Sequence, residues 1–219
     1  VKFTSTQQQG AGAVDASQVS FVGFKGQLGN VQDLADDDGA NWIGYTPDVT
    51  HGVAHSAQDK MQEVVSAFDF MTADEVTAVK TDTWTTVTDV TTAFQNAVDY
   101  CHTNFRTLYL PAGTYKLTDT ITKASSFYGV NITGEGANNS ILDFSSISVA
   151  NTPGLLLIGG SGSYPNNVMQ KFTIKGNQNV RGIQFQGLGG QRVRDCTLEN
   201  LLVGGYYGNI DTGSFTEFD

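Results

Sequence analysis

Lys171-Phe172-Thr173-Ile174-Lys175-Gly176-Asn177 and Asp195-Cys196-Thr197-Leu198-Glu199-Asn200-Leu201 align at an offset of 24 residues. Both read as strands with period-two alternation, so this register stacks Phe172 on Cys196 and Ile174 on Leu198 facing inward, with Thr173 over Thr197 outward. It also sets Lys171 beside Asp195 and Lys175 beside Glu199. Two opposite-charge pairs from one offset predict parallel strands stacked coil upon coil, each rung-to-rung ion pair contributing about 0.2–1 kcal/mol on an exposed sheet face.

Working outward, the apolar strand centres Leu108, Ile132, Leu156, Ile174 and Leu198 are separated by 24, 24, 18 and 24 residues. Such a recurrence marks a solenoid whose corners vary in length while its strands stack. Glycine-containing corners are expected at Gly134-Glu135-Gly136, Gly159-Gly160, Gly187 to Gly190 and Gly204-Gly205. Parallel strands joined by brief corners, with no helical periodicity after Leu108, predict a parallel β-helix rather than a sandwich or an α/β sheet.

Helical signals precede the strands. From Asp89 onward Val90, Phe94, Ala97, Val98 and Cys101 form one apolar face, with Gln95, Asn96 and Asp99 on the wet side. This helix is expected to cover the first coil, because a bare solenoid end exposes core and unpaired strand edges. Capping boxes open two further helices, at Ser56 with Asp59 and at Thr72 with Glu75. After Ser56, the residues Ala57, Met61, Val64, Val65 and Phe68 fall at helical spacing, a stripe that needs a partner such as a sister chain. Residues 1–50, rich in Gly, Gln and Asp, read as a small module of short strands and loops or as an arm that orders against a partner. The expected organisation is an N-terminal module over 1–50, a helical neck and connector over 51–88, and a capping helix with the first coils over 89–219.

Composition removes several classes of function. Among 219 residues, 12 Lys+Arg against 22 Asp+Glu give a net charge of -10, and no basic cluster offers a nucleic-acid surface. No apolar run approaches the ~20 residues of a membrane helix. The two cysteines, Cys101 and Cys196, do not form a disulfide framework and are expected to be buried thiols. The acidic run Asp36-Asp37-Asp38 lacks the alternating ligand spacing of a calcium loop, and His51, His55 and His102 are scattered, so neither a metal nor a cofactor is expected.

The segment Thr92 to Tyr100 followed by Thr107-Leu108-Tyr109-Leu110-Pro111-Ala112-Gly113-Thr114-Tyr115-Lys116-Leu117 resembles the start of the pectate-lyase-like right-handed β-helix. Gly52 to Phe70 is similar to the neck segment of bacteriophage tailspikes, and Asp69 to Thr91 fits their connector. The resemblance spans roughly residues 50–120 closely and the remainder only in style. It implies a homotrimeric virion protein that docks to the phage tail or an adaptor protein through its N-terminal part. Its β-helix would recognise, and in full length depolymerise, the host's capsular or O-antigen polysaccharide. A non-catalytic tail adaptor or receptor-binding fibre is the alternative, and a secreted bacterial polysaccharide lyase the weaker one.

Glycoside hydrolysis needs two carboxylates about 5–9.5 Å apart. The outward carboxylates here are Glu135, Asp143, Asp195 and Glu199. Asp195 and Glu199 are four positions apart on one strand, about 13 Å, and both have lysines beside them. Catalytic residues are therefore not assigned; since the last coil has no cap, they are expected beyond Asp219, in a longer protein of which this portion is expected to be inactive. Tyr164, Tyr206 and Tyr207 could stack on sugar rings, though packing is the commoner role of aromatic residues on a solenoid.

Overall fold

The computed structural model describes residues 20–22, 28–30, 39–47, 52–125, 129–159, 167–186, 191–208 and 216–218. The chain divides into two compact units, Val1–Glu63 and Val64–Asp219. In the first, β1 (Ser20–Val22) pairs antiparallel with β2 (Leu28–Asn30), and β3 (Gly44–Tyr45) with β4 (His55–Ser56). The short helix α1 (Ala57–Met61) starts at the expected capping box, Ser56 Oγ accepting from Asp59 N–H while the Asp59 carboxylate accepts from Ser56 N–H. The Asp36–Asp38 run, His51 and Tyr164 lie outside the described residues.

The second unit is a parallel β-helix of three sheets. After β5 (Val64–Ser66), each coil contributes one strand to each sheet. The first coil is β6 (Thr107–Leu110), β7 (Gly113–Lys116) and β8 (Ile121–Ser125). The second is β9 (Asn131–Gly134), β10 (Ser140–Asp143) and β11 (Thr152–Gly159). The third is β12 (Val168–Gln170), β13 (Thr173–Lys175) and β14 (Val180–Gln186), and the fourth is β15 (Gln191–Arg194), β16 (Thr197–Glu199) and β17 (Val203–Gly208). A last strand, β18 (Thr216–Phe218), pairs with β15. Sheet A runs β5-β6-β9-β12-β15-β18, sheet B β7-β10-β13-β16 and sheet C β8-β11-β14-β17.

Inward rows make the core. Val65, Leu108, Ile132, Met169 and Val193 stack in sheet A; Tyr115, Leu142, Ile174 and Leu198 in sheet B; Ile121, Leu155 and Ile183 in sheet C. All but Leu198 are buried, and Leu198 packs against the core half-covered. The repeat length differs by sheet: successive sheet A partners are 24, 37, 24 and 25 residues apart, from Leu108 through Ile132, Met169 and Val193 to Phe218. Among the five expected strand centres, Leu108 and Ile132 do stack, as do Ile174 and Leu198, but Leu156 belongs to sheet C and points outward between buried Leu155 and Leu157. The second coil breaks the period at all three of its corners: its inward positions Ile132, Leu142, Leu155 and Met169 are 10, 13 and 14 residues apart, against 5, 9 and 10 from Met169 through Ile174 and Ile183 to Val193. Gly204 and Gly205 lie within β17 and do not form a corner.

Three different devices close the lower end of the coils. β5 pairs with β6 and covers the edge of sheet A. Helix α2 (Ala73–Thr81) packs on β7, where Gly113 admits it: a Cβ there would stand 2.6 Å from Val79 Cγ1. Helix α3 (Thr91–Thr103) buries Phe94, Ala97, Val98 and Cys101 against the core, with Val90 at its N-cap also buried. Its Gln95, expected to stay wet, instead imitates a peptide group. Its Nε2 donates to Thr122 O at 2.8 Å and its Oε1 accepts from Thr122 N–H at 2.9 Å, satisfying the open edge of β8. The Asp99 side chain stays 46% exposed, as expected, while pairing with Lys123 at 2.8 Å.

A helix running through Phe68 does not form. α1 stops at Met61, and β-branched Val64 and Val65 continue as strand β5. Val65, 4% exposed, fills the core row under Leu108, whereas Met61 and Val64 are 73% and 57% exposed. Phe68 sits in a 3-10 turn over 67–70 and stacks on Tyr115 with centroids 6.0 Å apart; Ala57 is half-buried. Ala57, Met61, Val64, Val65 and Phe68 therefore do not lie on one helix.

Candidate functional site

The outer face of sheet A is a polar surface. The register brings Thr107, Asn131, Val168 and Arg192 into one outward row, and Tyr109, Thr133, Gln170 and Arg194 into a second. The buried row Leu108, Ile132, Met169 and Val193 runs between them, so the two rows hang on a rigid base. Gln170 Nε2 donates to Thr133 Oγ1 at 3.2 Å, and Asn131 Oδ1 accepts from Val168 N–H at 3.2 Å. Beneath β12, buried Asn167 accepts from Val130 N–H through its side chain and from Arg192 N–H through its carbonyl, tying three coils together. Rungs spaced about 4.8 Å apart thus display hydroxyl, amide, phenol and guanidinium groups along the solenoid axis.

None of these residues was singled out from the sequence. Arg192 and Arg194 were visible as an alternating pair on β15. The 37-residue step from Ile132 to Met169 hid their alignment with Tyr109, Thr133 and Gln170.

Sheet B carries the other ordered feature. Its outward row is Lys116, Asp143, Lys175 and Glu199, alternating in sign along four coils. The expected register of Lys175 with Glu199 is present, but the ion pair that forms is Lys175 with Asp143, at 3.3 Å. Asp143 is further fixed by accepting from Ser145 N–H at 2.8 Å, which presents it to Lys175 on one side. At the start of the row the Lys116 ammonium lies 5.9 Å from the Trp84 ring centroid. The expected pair Lys171 with Asp195 does not form: both are left-handed corner residues, with φ of 61° and 50°, and both side chains are exposed outside the strands. Thr173, expected outward, is buried and donates to Ala137 O from the preceding coil.

Glu135 accepts from Ala112 N–H at 2.9 Å. Asp143 and Glu199 are two strands apart, about 9.6 Å, with Lys175 between them and in contact with Asp143. Burial pushes the Cys101 thiol up to about 11, helped by the charge of Asp69, and burial likewise raises Cys196, so neither is an activated nucleophile. Tyr115 is driven far above its ordinary value, first by burial, and donates its hydroxyl proton to Pro111 O at 2.8 Å as a core anchor. Among the described residues no three His, Cys, Asp or Glu side chains group as a metal site, and no described helix is long and apolar enough to cross a membrane.

Residues 80–185 match the family model described as rhamnogalacturonase A/epimerase, pectate lyase-like. No curated protein matches the chain. The match covers α3 and most of the first three coils and agrees with the parallel three-sheet coil, so the second unit has a pectate-lyase-like β-helix. Such a domain points to polysaccharide binding or degradation.

Proposed function

We propose that the protein binds a host surface polysaccharide, capsular or O-antigen, along the outer face of sheet A, as the attachment part of a homotrimeric phage tailspike. The observation that carries binding is the paired outward row of Tyr109, Thr133, Gln170 and Arg194 with Thr107, Asn131 and Arg192 on a pectate-lyase-like coil. Hydroxyl and amide groups suit sugar hydroxyls, an aromatic face suits a pyranose ring, and two guanidinium groups favour an acidic repeat unit. The tailspike role rests on the likeness of residues 50–120 to the neck and first coil of those proteins. It carries with it a virion-tail location and a tail or adaptor protein as the partner of the N-terminal region.

For residues 1–219 the proposed activity is recognition without turnover: the outward sheet B carboxylates Asp143 and Glu199 are two strands apart with Lys175 between them and paired to Asp143. The second reading is a non-catalytic adaptor or receptor-binding fibre. The test is affinity electrophoresis of the protein in gels containing purified capsule or O-antigen, with reducing ends and absorbance at 235 nm followed in parallel. Retardation that is lost in Tyr109→Ala and Arg194→Ala, with no new reducing ends or unsaturated products, is the expected result. Depolymerisation by this chain would overturn the inactive assignment. Retardation unchanged in both variants would move the binding face elsewhere. Light scattering that gives a monomer would remove the trimer.

A further inference from the structure

The charges of sheet B sort by coil. The first coil carries Lys116, the second Glu135 and Asp143, the third Lys171 and Lys175, and the fourth Asp195 and Glu199. Lys116, Asp143, Lys175 and Glu199 form the outward row, while Glu135, Lys171 and Asp195, all exposed, stand on the corners that lead from sheet A into β10, β13 and β16. Every described charge on this face obeys one rule: one sign per coil, reversed at the next rung. Rungs are about 4.8 Å apart, so the sign repeats about every 9.6 Å. The fold uses little of this pattern. Lys175 pairs with Asp143 at 3.3 Å yet stays 46% exposed, and Glu135 accepts from Ala112 N–H while remaining exposed.

Opposite charges one rung apart cancel each other's field over a short distance, so the face exerts no long-range pull on a uniformly charged polymer: each coil that attracts it is followed by one that repels it. A chain whose own charge alternates at the same step gains at every coil. Successive pyranose units of an extended glycan advance by about one rung, and a repeat of one acidic and one amino sugar reverses sign at each unit. The half-buried hydroxyls of Thr114 and Thr197, in the neighbouring outward row, suit sugar hydroxyls. We propose that the outer face of sheet B binds a zwitterionic polysaccharide, laid along the solenoid axis with carboxylates over the first and third coils and ammonium groups over the second and fourth. This second glycan face is separate from the sheet A rows and goes beyond the reading given for them.

The probes are three fluorescent octasaccharides: N-deacetylated hyaluronan, in which glucuronate alternates with glucosamine; hyaluronan itself, charged only by its carboxylates; and chitosan, charged only by its amines. Anisotropy titrations at about pH 6, where carboxylates are ionised and sugar amines protonated, should show the zwitterionic probe bound about tenfold more tightly than either of the others, a preference that fades as salt screens it. Combining Asp143→Lys with Lys175→Glu keeps the net charge and an ion pair but breaks the alternation, and should abolish the preference while the circular dichroism spectrum stays native. Lys171→Glu, outside that pair, should lower the affinity for the zwitterionic probe about threefold. Tyr109→Ala and Arg194→Ala, which remove sheet A contacts, should leave the preference in place, so the failure of one face is read without the other. Equal affinities for the three probes, a preference that survives both the exchange and Lys171→Glu, or one lost in the sheet A variants would each overturn the proposal. So would light scattering in which the exchange changes the mass of the protein without ligand, the mark of a face used between copies.

Discussion

Replacing Gly134 by alanine should be among the most damaging single-atom additions to the solenoid. In the first coil the corresponding inward position holds buried Leu110, but one coil up the chain leaves sheet A early, turning at Lys171 with a left-handed φ of 61°. That corner occupies the space a side chain at 134 would need. A Cβ built on Gly134 lies 2.1 Å from the Lys171 carbonyl oxygen and 2.9 Å from Phe172 Cβ. Cβ contacts under 3.0 Å are essentially never seen, so the shortfall is 3.0 - 2.1 = 0.9 Å against backbone, which has no rotamer to yield. The same carbonyl accepts from Gly136 N–H at 3.0 Å, so retreating by that much sacrifices a hydrogen bond between coils. Overpacking by one methyl costs about 1–3 kcal/mol and the loss of the bond about 1 more, giving an expected destabilisation of roughly 2–4 kcal/mol. Gly176→Ala is the control, because its nearest contact, at 2.6 Å, is the terminal Cδ2 of Leu201, which can rotate aside. It should cost no more than about 1 kcal/mol. Urea unfolding followed by circular dichroism measures both. Stability of Gly134→Ala within about 0.5 kcal/mol of the native protein, or equal losses in the two variants, would refute the reasoning.

Three further outcomes follow from the same geometry. Gln95→Leu keeps the volume but leaves Thr122 N–H and C=O without their partner, so it should cost about 2–3 kcal/mol in the same urea assay; a neutral substitution would show that water replaces the amide. Cys101, buried and with its thiol pushed up to about 11, should resist a thiol-reactive dye at pH 8 until denaturant is added, while half-buried Cys196 labels slowly in the native state. Mass spectrometry assigns the labelled site, and fast native labelling at Cys101 would contradict its burial. At Asp89, burial works to raise the carboxyl, but hydrogen bonds from Thr91, Thr88 and Thr118 outweigh it and hold it below its ordinary 3.8. A lowered folded value means that Asp89 stabilises fully above about pH 4 and loses its contribution as pH falls through the folded value. Asp89→Asn should thus be less stable than the native protein at pH 7, with the gap narrowing below pH 3.8 in parallel urea titrations.

Much of the coil was legible because its residues obey a local rule. The Ile174–Leu198 register, the capping boxes at Ser56 and Thr72 and the apolar face of α3 each follow from spacing alone, and all are present. What escaped has one common cause: side chains whose partners lie one coil away, across a corner of unpredictable length. Val65 looked like a helix residue because its spacing to Met61 and Phe68 is helical, yet its burial is decided by Leu108, 43 positions on. Gln95 looked solvated for want of any local partner and proved to seal the edge of β8. Lys175 chose Asp143 over Glu199, a competition that a single pairwise offset does not display. The outward rows of sheet A were hidden in the same way, since their alignment requires the 37-residue step between Ile132 and Met169.

The closure of the lower end by a strand, a helix and a side-chain amide makes the solenoid a structure with a fixed foundation and a repeatable storey. Each coil rests only on the one below it, and corners of very different length already coexist with unbroken strand register. Duplicating or deleting a whole coil above β6 to β8 would therefore leave β5, α2 and Gln95 undisturbed. Length, and with it the reach of the displayed face, is a quantity that recombination can change in steps of about 4.8 Å without reinventing the base that closes the first coil.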